Sequence, residues 1–160
     1  MNDILASLST KQELQHFLTS LGEVEQGLYT LMSDTKKVLA MHFPPEQLDQ
    51  ITSYFIKNKL DVRNKEQFSQ FVTGITSAAS SLPLLSLTLS FAPTSHQVSQ
   101  IARWLAQNST THYLLDITIV PEIIGGTRIG INGTYKDYSV KKTVTEYFAK
   151  TQNIQYEIPK

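Results

Sequence analysis

Val120-Pro121-Glu122-Ile123-Ile124-Gly125-Gly126-Thr127-Arg128-Ile129-Gly130-Ile131-Asn132-Gly133, closed by Lys136-Asp137-Tyr138-Ser139-Val140, decides how this chain folds. It reads as a strand ending at Val120-Pro121, a glycine pair, a second strand, a tight turn, a short strand and a helix. Asn132-Gly133 between strand-like residues is the strongest short hairpin signal, because both turn positions need positive φ. Gly125-Gly126 permits backbone angles or close approaches that a Cβ would forbid. Asp137 or Ser139 can cap the last helix by accepting a hydrogen bond from one of its free N–H groups. Val140, Val144, Tyr147 and Phe148 then recur at helical spacing, which predicts one buried face.

Working back toward the N-terminus, the period of the apolar residues changes near Ser80-Ser81-Leu82-Pro83. Leu85, Leu87, Leu89 and Phe91 alternate with polar residues, as a strand with one buried face does. Pro93-Thr94-Ser95 turns into a helix carrying Val98, Ile101, Ala102 and Leu105. Tyr113, Leu115, Ile117 and Ile119 form a second alternating strand, facing away from Leu114, Asp116 and Thr118. Before Pro83 the pattern is helical. Leu14, Phe17, Leu21, Val24, Leu28 and Leu31 make an apolar stripe, and Thr10 with Glu13 makes a capping box at its start. Gly22 and Gly27 each cost roughly 1 kcal/mol against alanine in a helix, which predicts a break there. Pro44-Pro45 opens a helix with Leu48, Ile51 and Phe55, since proline is tolerated in a first turn. Asn64 with Gln67 caps another, carrying Phe68, Phe71, Val72 and Ile75. The expected fold is α+β: an all-helical bundle over residues 1–81, then a small β-α-β-β-α domain over 82–160 with helices on one face of its sheet. The stripe looks longer than three or four short helices can cover, so part of it is expected to await an incoming helix. Ile154, Tyr156 and Ile158 alternate in the tail, as an added edge strand or an extension would.

Composition excludes several functions. Basic and acidic residues balance at 14 each, which argues against a dedicated nucleic-acid or anionic-membrane surface. There is no cysteine, so disulfides, thiol catalysis and thiolate metal sites are out. No segment approaches 18 uninterrupted apolar residues, and Met1-Asn2-Asp3 lacks a basic leader region, so a cytoplasmic protein is expected. His16, His42, His96 and His112 lie far apart, with no second ligand at metal spacing. No Gly-x-Ser-x-Gly elbow is present. Gly125, Gly126, Gly130 and Gly133 form neither a dinucleotide fingerprint nor a phosphate loop, and they lead into a strand where phosphate cradles lead into a helix. The expectation is a non-enzyme with no catalytic, metal or cofactor-binding residues. Gly130-Ile131-Asn132-Gly133 spells the Gly-x-x-Gly of a KH RNA-binding loop, but that loop joins two helices and this one joins two strands.

The stretch that decides the fold also resembles the C-terminal signature of the delta subunit of F-type ATP synthases, the oligomycin-sensitivity-conferring protein of mitochondria. Val120, Pro121, Ile124, Gly125, Gly126, Arg128, Ile129, Gly130, Asp137, Ser139 and Val140 fall on that family's pattern. Thr127 stands at a usually apolar position, and the helical half is shorter than the family's six-helix bundle. The resemblance covers roughly residues 84–150. It implies a peripheral-stalk protein without an active site, held at the inner face of a bacterial membrane through its complex. The helical half would grip the N-terminus of an alpha subunit, and the C-terminal half would hold the C-terminal end of the b subunits. It also implies that Pro121, Ile124, Gly125, Gly126, Arg128, Gly130, Asp137, Ser139 and Val140 shape the domain. Lys141 and Lys142 match a basic pair at the start of the family's last helix. Positive charge is unfavourable at a helix N-terminus, which leaves two readings of Lys141 and Lys142, a partner contact or an ordinary solvated face. The competing reading is a small RNA-binding or ribosome-associated α+β module. That reading needs a basic stripe with stacking aromatics, which the sequence lacks.

Overall fold

A computed structural model describes residues 1–30 and 35–151. Leu31 and the Ile154, Tyr156, Ile158 alternation lie outside the described residues. The chain is α+β, with seven α-helices and a four-stranded mixed sheet among the described residues. Five helices come first: α1 (Asn2–Ala6), α2 (Lys11–Thr30), α3 (Thr35–His42), α4 (Pro45–Lys57) and α5 (Lys65–Ser80).

Thr10 and Glu13 form the expected capping box at the start of α2. Glu13 N donates to Thr10 Oγ1 at 3.1 Å, and Thr10 N donates to Glu13 Oε2 at 3.2 Å. The helix does not break at its glycines. A Cβ on Gly22 would meet nothing within 4 Å, and one on Gly27 would meet Val38 of α3 at 3.8 Å. Helix propensity loses here to packing, because Leu21 and Val24 beside the glycines are wholly buried. Among the described residues the stripe is also covered: Leu14, Phe17, Leu21, Val24 and Leu28 are all buried. The expectation of uncovered stripe awaiting an incoming helix is therefore corrected. What closes it includes α1, which the sequence did not signal and which contributes Ile4 and Leu5 with neighbouring Leu8 to the same core. Asn64 Oδ1 caps α5, accepting from Glu66 N and Gln67 N. Phe55 of α4 packs on Phe68 and Phe71 of α5 at ring-centroid distances of 5.9 and 5.1 Å.

The sheet follows: β1 (Leu84–Leu89), α6 (Ser95–Asn108), β2 (Leu114–Ile119), a single 3-10 turn (Pro121–Ile123), β3 (Thr127–Ile131), β4 (Thr134–Asp137) and α7 (Val140–Thr151). Thr94 and Gln97 form a full capping box on α6. The strand order is β2-β1-β3-β4, parallel between β1 and β2 and antiparallel elsewhere. The second arm of the hairpin is the short strand read after the Asn-Gly turn. Counting it, the observed order is β-α-β-β-β-α, one strand more than the β-α-β-β-α expected for the domain as a whole. Helix α6 lays Val98, Ile101, Ala102 and Leu105 on the face formed by Leu85, Leu87, Leu115, Ile117, Ile129 and Ile131. Residues of opposite parity point the other way, and one departs from expectation: Leu114, read as outward-facing, is 1% exposed and belongs to the helical core.

Leu114 is not alone in joining the helices to the sheet. Leu115 N donates to Ser9 O at 2.9 Å, and Thr10 forms a parallel bridge with Leu115. Lys11 Nζ lies 2.9 Å from Asp116 Oδ2, and His112 Nε2 lies 3.1 Å from Leu8 O. A single strand-edge bridge, an ion pair and a buried side chain therefore cross between residues 1–81 and 82–160.

Candidate partner-binding site

The residues of the glycine-rich stretch meet at one junction, where β2, β3, β4 and α7 come together. Asn132 (φ 48°) and Gly133 (φ 78°) make the two-residue turn that positive φ at both positions permits. The turn sets the β3–β4 register, which places Arg128 opposite Asp137. Arg128 Nε donates to Asp137 Oδ2 at 3.0 Å, and Ser139 N donates to Asp137 Oδ1 at 2.8 Å. Ser139 is fully buried and is the N-cap of α7, its Oγ accepting from Lys142 N at 3.3 Å. Of the two caps anticipated from the sequence, only Ser139 accepts from an N–H of the helix; Asp137 holds the amide of Ser139 instead. Asp137 orients Ser139, and Ser139 closes the helix.

The glycine pair is the other half of the junction. Val140 N donates to Gly125 O and Tyr138 N to Thr127 O, each at 2.9 Å. Gly126 has φ 78°, and a Cβ there would be driven into the carbonyl oxygen of Tyr138 and lie 3.0 Å from Ser139 Cα. A Cβ on Gly125 would meet Val140 Cγ2 at 3.3 Å. Gly126 is required because one segment of backbone passes directly over another, whereas at Gly125 the neighbour is a side chain that need give by only a few tenths of an ångström. Pro121 opens the 3-10 turn that leads in, and Ile123 is buried beneath it. Ile124 is 72% exposed and left-handed at φ 67°, an outlying conformation for a β-branched residue. At Gly130 a Cβ would meet Ser86 Cβ and Tyr135 Cδ2 at 3.5 Å, ordinary contact distances, so that glycine is not sterically demanded.

Hydrogen bonds from the Ser139 side chain and amide lower the Asp137 pKa most, with the Arg128 charge adding to them against partial burial. A carboxylate whose folded pKa is depressed stabilises the fold above its unfolded pKa of about 3.9 and loses that contribution as pH falls through the folded value. Asp137→Asn is accordingly expected to lower the melting temperature near pH 7 and to flatten its fall below about pH 4. Identical melting curves for the two proteins from neutral to acid pH would remove Asp137 from the junction's stabilising groups.

The junction aims a helix whose apolar side chains are not buried. Val140, Val144, Tyr147 and Phe148 are 44, 43, 66 and 61% exposed. This corrects the expectation of a buried face. Spacing gives a stripe but not the surface that covers it, and among the described residues neither hydrophobic cluster contains any side chain of α7. Lys141 and Lys142 are both exposed, and Lys142 Nζ lies 3.8 Å from Glu146 Oε1 one turn on. A second concave surface, a cleft of about 500 Å³ between α1 and α4, is lined by Met1, Ile4, Tyr54 and the carboxylates Asp3, Glu46 and Asp49. It depends on α1, and no motif in the sequence announced it.

His16 faces Ser20, His42 lies 3.1 Å from Glu23, and His112 meets a backbone carbonyl. Among the described residues no three His, Asp or Glu side chains are placed to hold a metal. No described helix is long and apolar enough to cross a membrane. The Gly-x-x-Gly of the KH pattern falls in the β3–β4 hairpin, away from any helix–helix loop. Compared with models of known protein families and with curated proteins, the chain matches none.

Proposed function

We propose that this chain is the delta-type stator subunit of a bacterial F-type ATP synthase: an N-terminal helical bundle and a C-terminal α+β domain that together tie the catalytic head to the stalk. The observation that carries the reading is the interlocking of the signature residues. Gly125, Gly126, Asp137, Ser139 and Val140 contact one another around the root of α7, so the motif describes one physical object, a socket that orients a helix. That helix presents an apolar stripe, which suits holding another protein and serves no evident purpose inside the fold.

In this reading the b subunits' C-terminal end binds the C-terminal half at α7. The alpha subunit's N-terminal segment binds the helical half, where the cleft between α1 and α4 is the candidate groove. A stator must carry torque between its two grips without yielding. Leu114 in the helical core, the Ser9–Leu115 hydrogen bond and the Lys11–Asp116 pair suit that task, because they couple the two regions. The protein would be cytoplasmic, peripheral to the inner membrane through its complex, and without cofactor or catalysis. Expressed with the head and stalk subunits of the same organism, the chain is expected to co-purify with both and to be required for proton-driven ATP synthesis. Full coupling in a complex lacking it would reject the proposal.

A further inference from the structure

We infer that the exposed face of α7 receives an amphipathic helix whose apolar stripe is bordered by acidic residues. The inference deepens the stator reading and rests on it for the partner's being a helix; the charge of that partner follows from this chain alone.

Successive residues of an α-helix are turned by roughly 100°, so Val140, Val144, Tyr147 and Phe148 fall within an arc about 100° wide. That is the width of apolar stripe with which a surface helix ordinarily packs against another element of a protein. Lys141 sits immediately beyond Phe148 on one border of the seam, and Lys150 lies on the other side. Both are exposed, and neither has an ion-pair partner among the described residues. The one acid of the helix, Glu146, lies round the back, where Lys142 is its partner. Both borders of the seam are therefore positive, and the compensating negative charge points away from it. A partner helix laid on Val144 and Phe148 brings its own flanking residues against Lys141 and Lys150. Acids there are attracted and bases repelled, which fixes partner and register as flanking charges do in coiled coils. The same pattern disfavours a second copy of this chain, since two such helices would set lysine borders together. Of the pair at the helix start, Lys141 faces the partner and Lys142 does not.

The test uses the full chain and two synthetic helices sharing one leucine stripe, one flanked by glutamate and one by lysine. The glutamate-flanked peptide is expected to bind at least tenfold more tightly. Lys141→Glu with Lys150→Glu should invert that preference, and Phe148→Ser should abolish both associations. Both lysines are outside the core, and circular dichroism checks that helix content is retained. Equal affinity for the two peptides, or a preference unchanged by the reversal, overturns the inference. So does binding of the chain to phosphatidylserine vesicles that the reversal abolishes while neither peptide binds. A C-terminal segment of b that fails to bind, while the glutamate-flanked helix binds as expected, would instead count against the stator reading and leave the charge rule standing.

Discussion

Gly126→Val is expected to damage the C-terminal half more than any other change within the glycine-rich stretch. Two effects add. Positive φ at a β-branched residue costs on the order of 1–3 kcal/mol. The new side chain would also be forced against the Tyr138 carbonyl and Ser139 Cα, and overpacking against backbone costs a further 1–3 kcal/mol or so. The sum, roughly 2–6 kcal/mol, corresponds to a fall in melting temperature of about 5–20 °C for a chain of this size. Loss of stalk binding should accompany it, because the displaced backbone carries Ser139 and hence the first turn of α7. Neighbouring glycines set the scale. Gly133→Ala meets nothing within 4 Å and bears only the φ strain, while Gly130→Ala meets ordinary contacts and should be mild. Unchanged melting with lost binding would make Gly126 a contact residue and not a structural one.

Leu114→Ala should be comparably severe, for a different reason. The side chain is 1% exposed and stands where β2 meets the helical core, so its removal leaves a cavity between two layers. Buried Leu→Ala changes cost about 2–5 kcal/mol, increasing with the cavity that remains. Because the cavity would lie at the boundary, the whole chain should still melt in one transition, displaced downward by roughly 5–15 °C. Calorimetry distinguishes this from the alternative. Two transitions, only one of them displaced, would mean that residues 1–81 and 82–160 unfold separately despite Leu114.

The residues that wrote their structure plainly into the sequence are those whose role is local. Asn132-Gly133 specifies a turn through backbone angles, Thr10 with Glu13 and Asn64 specify helix starts through hydrogen bonds within one turn, and each is found as read. What was not legible is what lies across from what. The stripe on α7 has the same spacing whether it faces a core or a partner, so spacing alone predicts burial for Val144 and Phe148, which are exposed. Leu114 sits at an outward position of an alternating strand, and only the approach of the helical core to that side makes outward mean buried. Helix α1 is five residues long, too short for periodicity to register. A helix that short hides from the sequence both the closure of the α2 stripe and the cleft against α4. At the candidate site, Gly126, Asp137 and Ser139 could be named in advance. Their convergence on one hydrogen-bonded junction depends on the β3–β4 register, and the place of Lys150 beside the apolar seam matters only because α7 is uncovered.

The most direct test is simultaneous binding by the full chain. Isothermal titration with the alpha subunit's N-terminal peptide and with a C-terminal segment of b, each in the presence and absence of the other, should give two independent sites of one-to-one stoichiometry. Each association should carry a negative heat-capacity change, because apolar surface is buried. Phe148→Ser should abolish the second association and leave the first unaltered. Competition between the two peptides for one site, or failure of both to bind the folded chain, would contradict the stator account.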